Sequence, residues 1–130
     1  MYTTELCYLS TKEVLRHHVQ ALDDRDLGGI LLDYAPDASL MAGVGLICGM
    51  EAIRAYYEAW LNEIVPAGSD WLVINQCVER DVAHVAWKAY APTHRVPMGS
   101  ETLVVRNGKI ETHTMCICVL PPLNGAVWLC

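Results

Sequence analysis

Apolar and polar positions follow two different periods along this chain, and the change falls near Ser69. Between Thr11 and Asp23, Val14, Leu15, His18, Val19 and Leu22 recur at spacings of three and four, with Arg16, Gln20 and Asp23 on the other side. That spacing predicts an amphipathic helix. Ser10 with Glu13 supplies a capping box, so the helix begins near Thr11. Asp26 reads as the N-cap of a short second helix carrying Leu27, Ile30, Leu31 and Tyr34, which stops ahead of Pro36 because proline disfavours helical geometry in the residue before it. Residues 37–42 read as a first strand, and Gly43 and Gly45 as a loop. Ile53, Tyr56, Tyr57, Trp60, Leu61 and Ile64 then give the broad apolar face of a third helix over 51–65, ended by Pro66 and Gly68.

Beyond Ser69 the period becomes two. Runs rich in Val, Ile, Thr, Trp and Tyr extend to Leu120, broken at Glu79-Arg80-Asp81, across Pro92 to Gly99, and at Asn107-Gly108. They predict an antiparallel meander. Alternation sets Val82, His84, Ala86 and Lys88 on one face. It groups Glu101 with Leu103 and Val105, and Glu111 with His113, Met115 and Ile117, with Ile110 turned the other way. Helices followed by an antiparallel sheet define an α+β fold. Three N-terminal helices packed on a strongly bent antiparallel or mixed sheet would leave a central pocket. The tail from Pro121 carries Val127, Trp128 and Leu129, which are apolar enough to dock on the core or on a partner.

Composition narrows the picture. The chain has 130 residues, enough for one domain (1–130) with a real core. It is 53% apolar and only 18% charged, which calls for a lined cavity, a buried oligomer face, or both. A homodimer through the outer sheet face, where Trp71 or Trp87 would otherwise meet water, is the expected assembly. The net charge of −6 excludes nucleic acid and anionic membrane as partners. No segment is long and apolar enough to span a bilayer, and the first residues lack the pattern of a signal peptide, so a cytoplasmic protein is expected. The six cysteines form no CxxC pair and read as small buried hydrophobes rather than metal ligands or disulfides.

The run VQALDDRDLGGILLDYAPDASL, followed by GMEAIRAYYEAWL and VVRNGKIETH, resembles the nuclear transport factor 2-like superfamily, in particular ketosteroid isomerases and SnoaL-like polyketide cyclases. The resemblance covers nearly the whole chain. It implies the cone-shaped α+β fold and an oxyanion site. The first-helix tyrosine of the isomerases corresponds to His18, the supporting tyrosines to Tyr34 and Tyr57, and the protonated acid to Glu101. The isomerase's proton-shuttling aspartate falls on Ala42, and the last-strand acid of the cyclases on Met115, so both habitual bases are replaced.

These readings meet in one candidate site. His18, Glu101 and His113 are the catalytic candidates, and Tyr34, Leu40, Tyr57, Trp60, His84 and Met115 the candidate ligand-binding residues. An imidazole and a carboxyl group together supply a general base and a general acid near neutral pH, and a glutamate among Leu and Val would have its pKa raised by desolvation. Proton abstraction beside a carbonyl, dehydration or cyclisation would follow on a small, mostly apolar ligand. None of these needs a cofactor. No spacing of His, Cys or acidic residues marks a metal site. The alternative is a non-catalytic small-molecule-binding or dimeric scaffold module of the same fold.

Overall fold

The structure, a computed structural model, describes residues 8–122. The expected apolar tail residues Val127, Trp128 and Leu129 lie outside them. Helix α1 (Thr11–Asp23) begins at the capping box read from the sequence: Ser10 Oγ accepts from the Glu13 amide, and Glu13 accepts from the Ser10 amide. Its stripe of Val14, Leu15, His18, Ala21 and Leu22 is buried. Helix α2 (Leu27–Leu32) is capped by Asp26, whose side chain accepts from the Gly29 amide.

Strand β1 (Tyr34–Ala42) starts earlier than the sequence suggests. Tyr34 is its first residue rather than the end of a helix, and Pro36 lies inside it. The pairing with the last strand shows why. Tyr34 pairs Ile110 and Ser39 pairs Thr112, so the segment holding Pro36 is an irregularity that asks no amide of the proline. The expected loop after Gly43 is in part a short strand, β2 (Gly45–Cys48), paired antiparallel with β1.

Helix α3 (Met50–Ala59) continues from Trp60 to Ile64 as a π turn. The Val65 amide reaches the Trp60 carbonyl at 3.0 Å, five residues back. The Arg25 guanidinium donates to the Leu61 and Val65 carbonyls, groups that a helix end leaves without partners.

The meander follows as β3 (Asp70–Glu79), β4 (Val82–Tyr90), β5 (Arg95–Arg106) and β6 (Lys109–Leu120). Its turns fall at the expected breaks, with positive φ at Arg80 and at Asn107-Gly108. The six strands form one mixed sheet in the order β2-β1-β6-β5-β4-β3, in which only β1 and β6 are parallel.

One face of the sheet carries the helices. Ala83, Val85, Trp87 and Ala89 of β4 are buried there, with Glu101, Leu103 and Val105 of β5 and Ile110, His113 and Met115 of β6. The placement of both Ile110 and His113 inside corrects the alternation read from the sequence. Val105 pairs Ile110 while Val104 pairs Thr112, so Glu111 is an extra residue that resets the parity of β6. Trp87 also corrects an expectation. It is fully buried beneath the helices rather than on the outer face, and Trp71 packs against it at 6.2 Å between ring centres.

The cysteines depart from the small-buried reading as well. Cys48, Cys77 and Cys116 are exposed free thiols, and Cys118 is disulfide-bonded. No helix among the described residues is long and apolar enough to cross a membrane.

Candidate functional site

Four elements place titratable side chains at one point of the core. Glu101 comes from the middle of β5, and His113 from the neighbouring strand β6. Tyr34 opens β1, and Tyr57 projects from the buried face of α3. The distances are short throughout. His113 Nε2 lies 2.8 Å from Glu101 Oε1, His113 Nδ1 2.6 Å from the Tyr34 hydroxyl, and that hydroxyl 2.6 Å from the hydroxyl of Tyr57. Trp87 Nε1 donates to the second oxygen of Glu101 at 2.6 Å.

Hydrogen-bond chemistry fixes the direction of this chain. An ionised carboxylate only accepts, so His113 Nε2 carries the hydrogen. In a neutral ring Nδ1 is then an acceptor, Tyr34 donates to it, and Tyr57 donates to Tyr34. Every hydrogen in the string points toward Glu101.

The electrostatics agree with that assignment. Burial is the strongest influence on Glu101 and pushes its pKa up, but the hydrogen bond and charge of His113, the charge of His18 and the Trp87 donor together bring it below the ordinary carboxylate value. This corrects the expectation of a raised value, because the residues around Glu101 are not only Leu and Val. Burial, aided by His18, holds His113 below its ordinary value despite the pull of Glu101. Near neutral pH the pair is therefore a carboxylate and a neutral imidazole. Burial also drives Tyr34 and Tyr57 well above the usual phenol range.

His18 stands beside this chain on α1. Its Nδ1 donates to Asp33 Oδ2 at 3.1 Å, and the other oxygen of Asp33 is held by half-exposed His17 at 2.6 Å. The ring of His18 meets that of His113 edge to face, 5.9 Å between centres. Its Nε2 is buried and has no hydrogen-bond partner among the described residues. All three catalytic candidates are thus together: one ligand atom from each of His18, Glu101 and His113 lies within 4.8 Å of the others.

The ligand-binding candidates divide. An apolar cavity of about 290 Å³ opens beside this cluster, and Trp60 and Met115 line it with Ala42, Tyr56 and Ile117. Tyr34, Leu40 and Tyr57 belong to the packed core behind it rather than to its wall. His84 is on the opposite side of the sheet, where its Nδ1 lies 3.2 Å from Thr102 Oγ1. Ala83, Val85 and Trp87 take the inward positions of β4, so parity turns His84 outward. His94, in the turn before β5, holds the Ile64 carbonyl at 2.7 Å.

Sequence reasoning missed Tyr56, Asp33 and Trp87. Tyr56 passes for packing on the helix stripe. Yet its hydroxyl reaches the cavity wall and donates to Met115 Sδ at 3.1 Å, with a pKa raised to about 12 by burial and by the charge of Glu101. Asp33 follows α2 as its C-cap, and nothing local marks it as the partner of two histidines one helix earlier. Trp87 was legible as an inward residue only through the parity of β4.

No protein-family model matches the chain, and no curated protein matches its sequence. Solved structures do match. A protein from Kribbella flavida named "putative ketosteroid isomerase" superposes with a TM-score of 0.70 at 17% identity, covering 92% of this chain and 90% of that one. A "putative polyketide cyclase" from Sinorhizobium meliloti gives 0.67 at 18% identity, covering 82% and 99%. An NTF2-like protein of unknown function from Mesorhizobium loti gives 0.71 at 17%, covering 83% and 90%. At such identities the likeness establishes the fold alone, and the fold is that of the nuclear transport factor 2-like proteins.

Proposed function

We propose that the protein is a cofactor-free acid–base enzyme of isomerase, lyase or cyclase type, acting on a small, mostly apolar carbonyl or hydroxyl compound in a central pocket under a bent sheet. The observation that carries this reading is the directional string of donors ending on an ionised, buried Glu101, one layer behind an apolar cavity. Glu101 is the general base, and it takes a proton from carbon beside the substrate carbonyl. His113 and Trp87 hold its two oxygens so that the lone pair is aimed before the substrate arrives. His18, on the far side, supports the negative charge of Glu101.

Met115 is the door. Its unbranched thioether side chain rearranges readily, and its displacement brings the substrate to Glu101 while freeing the Tyr56 hydroxyl. That hydroxyl now meets sulfur, a weak acceptor. A carbonyl oxygen is a stronger one, and a developing oxyanion stronger still, so Tyr56 is the donor that stabilises the enolate. The proton on Glu101 then returns to a second carbon (isomerisation) or accompanies a departing hydroxyl (dehydration).

The test is deuterium uptake at the α-carbon of a panel of hydrophobic ketones in D₂O, followed by NMR on metal-free protein. The expected result is exchange that Glu101→Gln slows by about 10²–10⁴-fold and Tyr56→Phe slows less, with both variants folded. Ligand binding in the cavity with no exchange above buffer would overturn the enzyme reading and leave the non-catalytic binding module.

A further inference from the structure

We propose that His18, Glu101 and His113 form a binding site for a divalent first-row transition-metal ion, Zn²⁺ or Fe²⁺ in character. The proposal goes beyond the acid–base reading, since metal-loaded and metal-free protein are alternative states of the same side chains. Two imidazoles and one carboxylate are the donor set that such ions prefer.

The geometry is close to what an ion needs. One ligand atom from each residue already lies within 4.8 Å of the others. An ion about 2.0–2.2 Å from each ligand requires ligand separations of about 3–3.5 Å, so the His113–Glu101 pair, at 2.8 Å, opens slightly, and a separation as wide as 4.8 Å closes by roughly 1 to 2 Å. His18 Nε2 supplies the independent sign. It is a buried polar atom without a partner among the described residues, on a side chain only 2% exposed, and such an atom is costly to keep unless something binds it.

Both histidines also have the outer partners that metal-bound imidazoles keep. His18 Nδ1 donates to Asp33, which fixes the tautomer that leaves Nε2 for the ion. For His113 to ligate through Nε2, its hydrogen moves to Nδ1 and is donated to the Tyr34 oxygen, and Tyr34 turns its own hydrogen toward Tyr57. The string reverses direction with no proton gained or lost within it, and the Nε2 proton of His18, present when that ring carries the charge that supports Glu101, leaves as the ion enters. The carboxylates of Glu101 and Asp33 together balance the two charges of the ion.

The experiment uses the full chain, stripped with chelator and titrated with Zn²⁺ and Co²⁺. The expected result is saturable binding of one ion, a melting temperature that rises with metal concentration, and Co²⁺ d–d bands without thiolate charge transfer. That last feature excludes the exposed cysteines as ligands. His18→Gln should weaken binding at least tenfold, and Asp33→Asn, which removes only the outer partner, by about 10- to 100-fold. No saturable binding, thiolate bands, or unchanged affinity in both variants would overturn the site. Proton exchange by stripped protein is a separate readout, so failure there leaves a positive metal titration standing, and the reverse.

Discussion

Gly99 lies in β5 directly against the Trp87 indole, and a Cβ built on it falls 2.2 Å from Cε2 and 2.7 Å from Cδ2 of that ring. Real Cβ contacts stay beyond about 3 Å, so Gly99→Ala must move the ring, and the ring is not free to move. Trp87 is fully buried and holds Glu101 Oε2 at 2.6 Å. Overpacking a core costs about 1–3 kcal/mol, and loss of a hydrogen bond to a charged group about 1.5–3 kcal/mol. If the ring yields, both contribute, and Gly99→Ala costs about 2.5–6 kcal/mol, a large share of a domain's stability. Trp87→Phe alone loses the hydrogen bond and some buried surface. It also removes Cζ2 and the outer part of the ring that the new methyl meets, so the double variant should be less destabilised than the sum of the two singles, by about 1 kcal/mol or more. Urea midpoints at constant slope for the four proteins measure this. Additivity within about 0.5 kcal/mol would refute the claim that Gly99 is required by the seat of Trp87.

Two further predictions concern the buried string. Tyr57→Phe removes a terminal donor and should cost about 0.5–1.5 kcal/mol, whereas Tyr34→Phe leaves His113 Nδ1 buried without a donor and should cost about 1–3 kcal/mol; chemical denaturation ranks the two, and the reverse order would refute the string with Tyr34 at its centre. The pH dependence of metal-free protein has a definite sign. His113 in the folded state lies below its ordinary value of 6.5, so the unfolded chain binds more protons beneath that pH, and the stability it contributes should decline as pH falls below 6.5 toward its folded value. Glu101, also lowered, adds stability that is present above its ordinary value of 4.5 and lost as pH falls through its folded value. Urea midpoints at a series of pH values should show the first decline vanish in His113→Gln.

The parts of the fold that repeat locally were legible. The capping box, the stripe of α1 and the Asn107-Gly108 turn all depend on residues within one or two turns of each other, and the structure has them where the pattern put them. The convergence of His18, Glu101 and His113 was also reachable, because strand parity pointed to Glu101 and His113 and the resemblance to His18 and Glu101. What escaped depends on irregularity or on distance. The extra residue at Glu111 and the irregular stretch around Pro36 shift parity by amounts that no local period records. The Asp33–His18 pair joins residues fifteen apart across a helix junction, and a metal-type cluster spanning residues 18, 101 and 113 has no spacing signature at all. His84 was misplaced for a related reason. A strand with an apolar residue or alanine at almost every position reads equally well in either parity until Trp87 and Glu101 are seen to pair.

The cavity and the charged string are adjacent but not the same place, and that separation bears on the chemistry. Ala42 and Met115, where the resemblance implies acids in related enzymes, both line the cavity and are both apolar. Here the carboxylate stands one layer deeper, on β5, register-paired with Met115 itself. A wall acid meets water and substrate alike, and it titrates near its ordinary value. An acid behind the wall is kept from water by the side chain that, in the proposed reading, substrate displaces, and it stays ionised because His113, Trp87 and His18 are built around it. Removing one partner of such a buried arrangement is costly, about 3–5 kcal/mol where the pair is charged, far above what surface pairs contribute. A hydrophobic replacement of equal volume would stabilise the fold as well or better, which favours the proposed chemical use of Glu101 over a purely structural one. The physical case for chemistry in this protein therefore rests on the position of Glu101 more than on the cavity, which a simple binding module would need just as much.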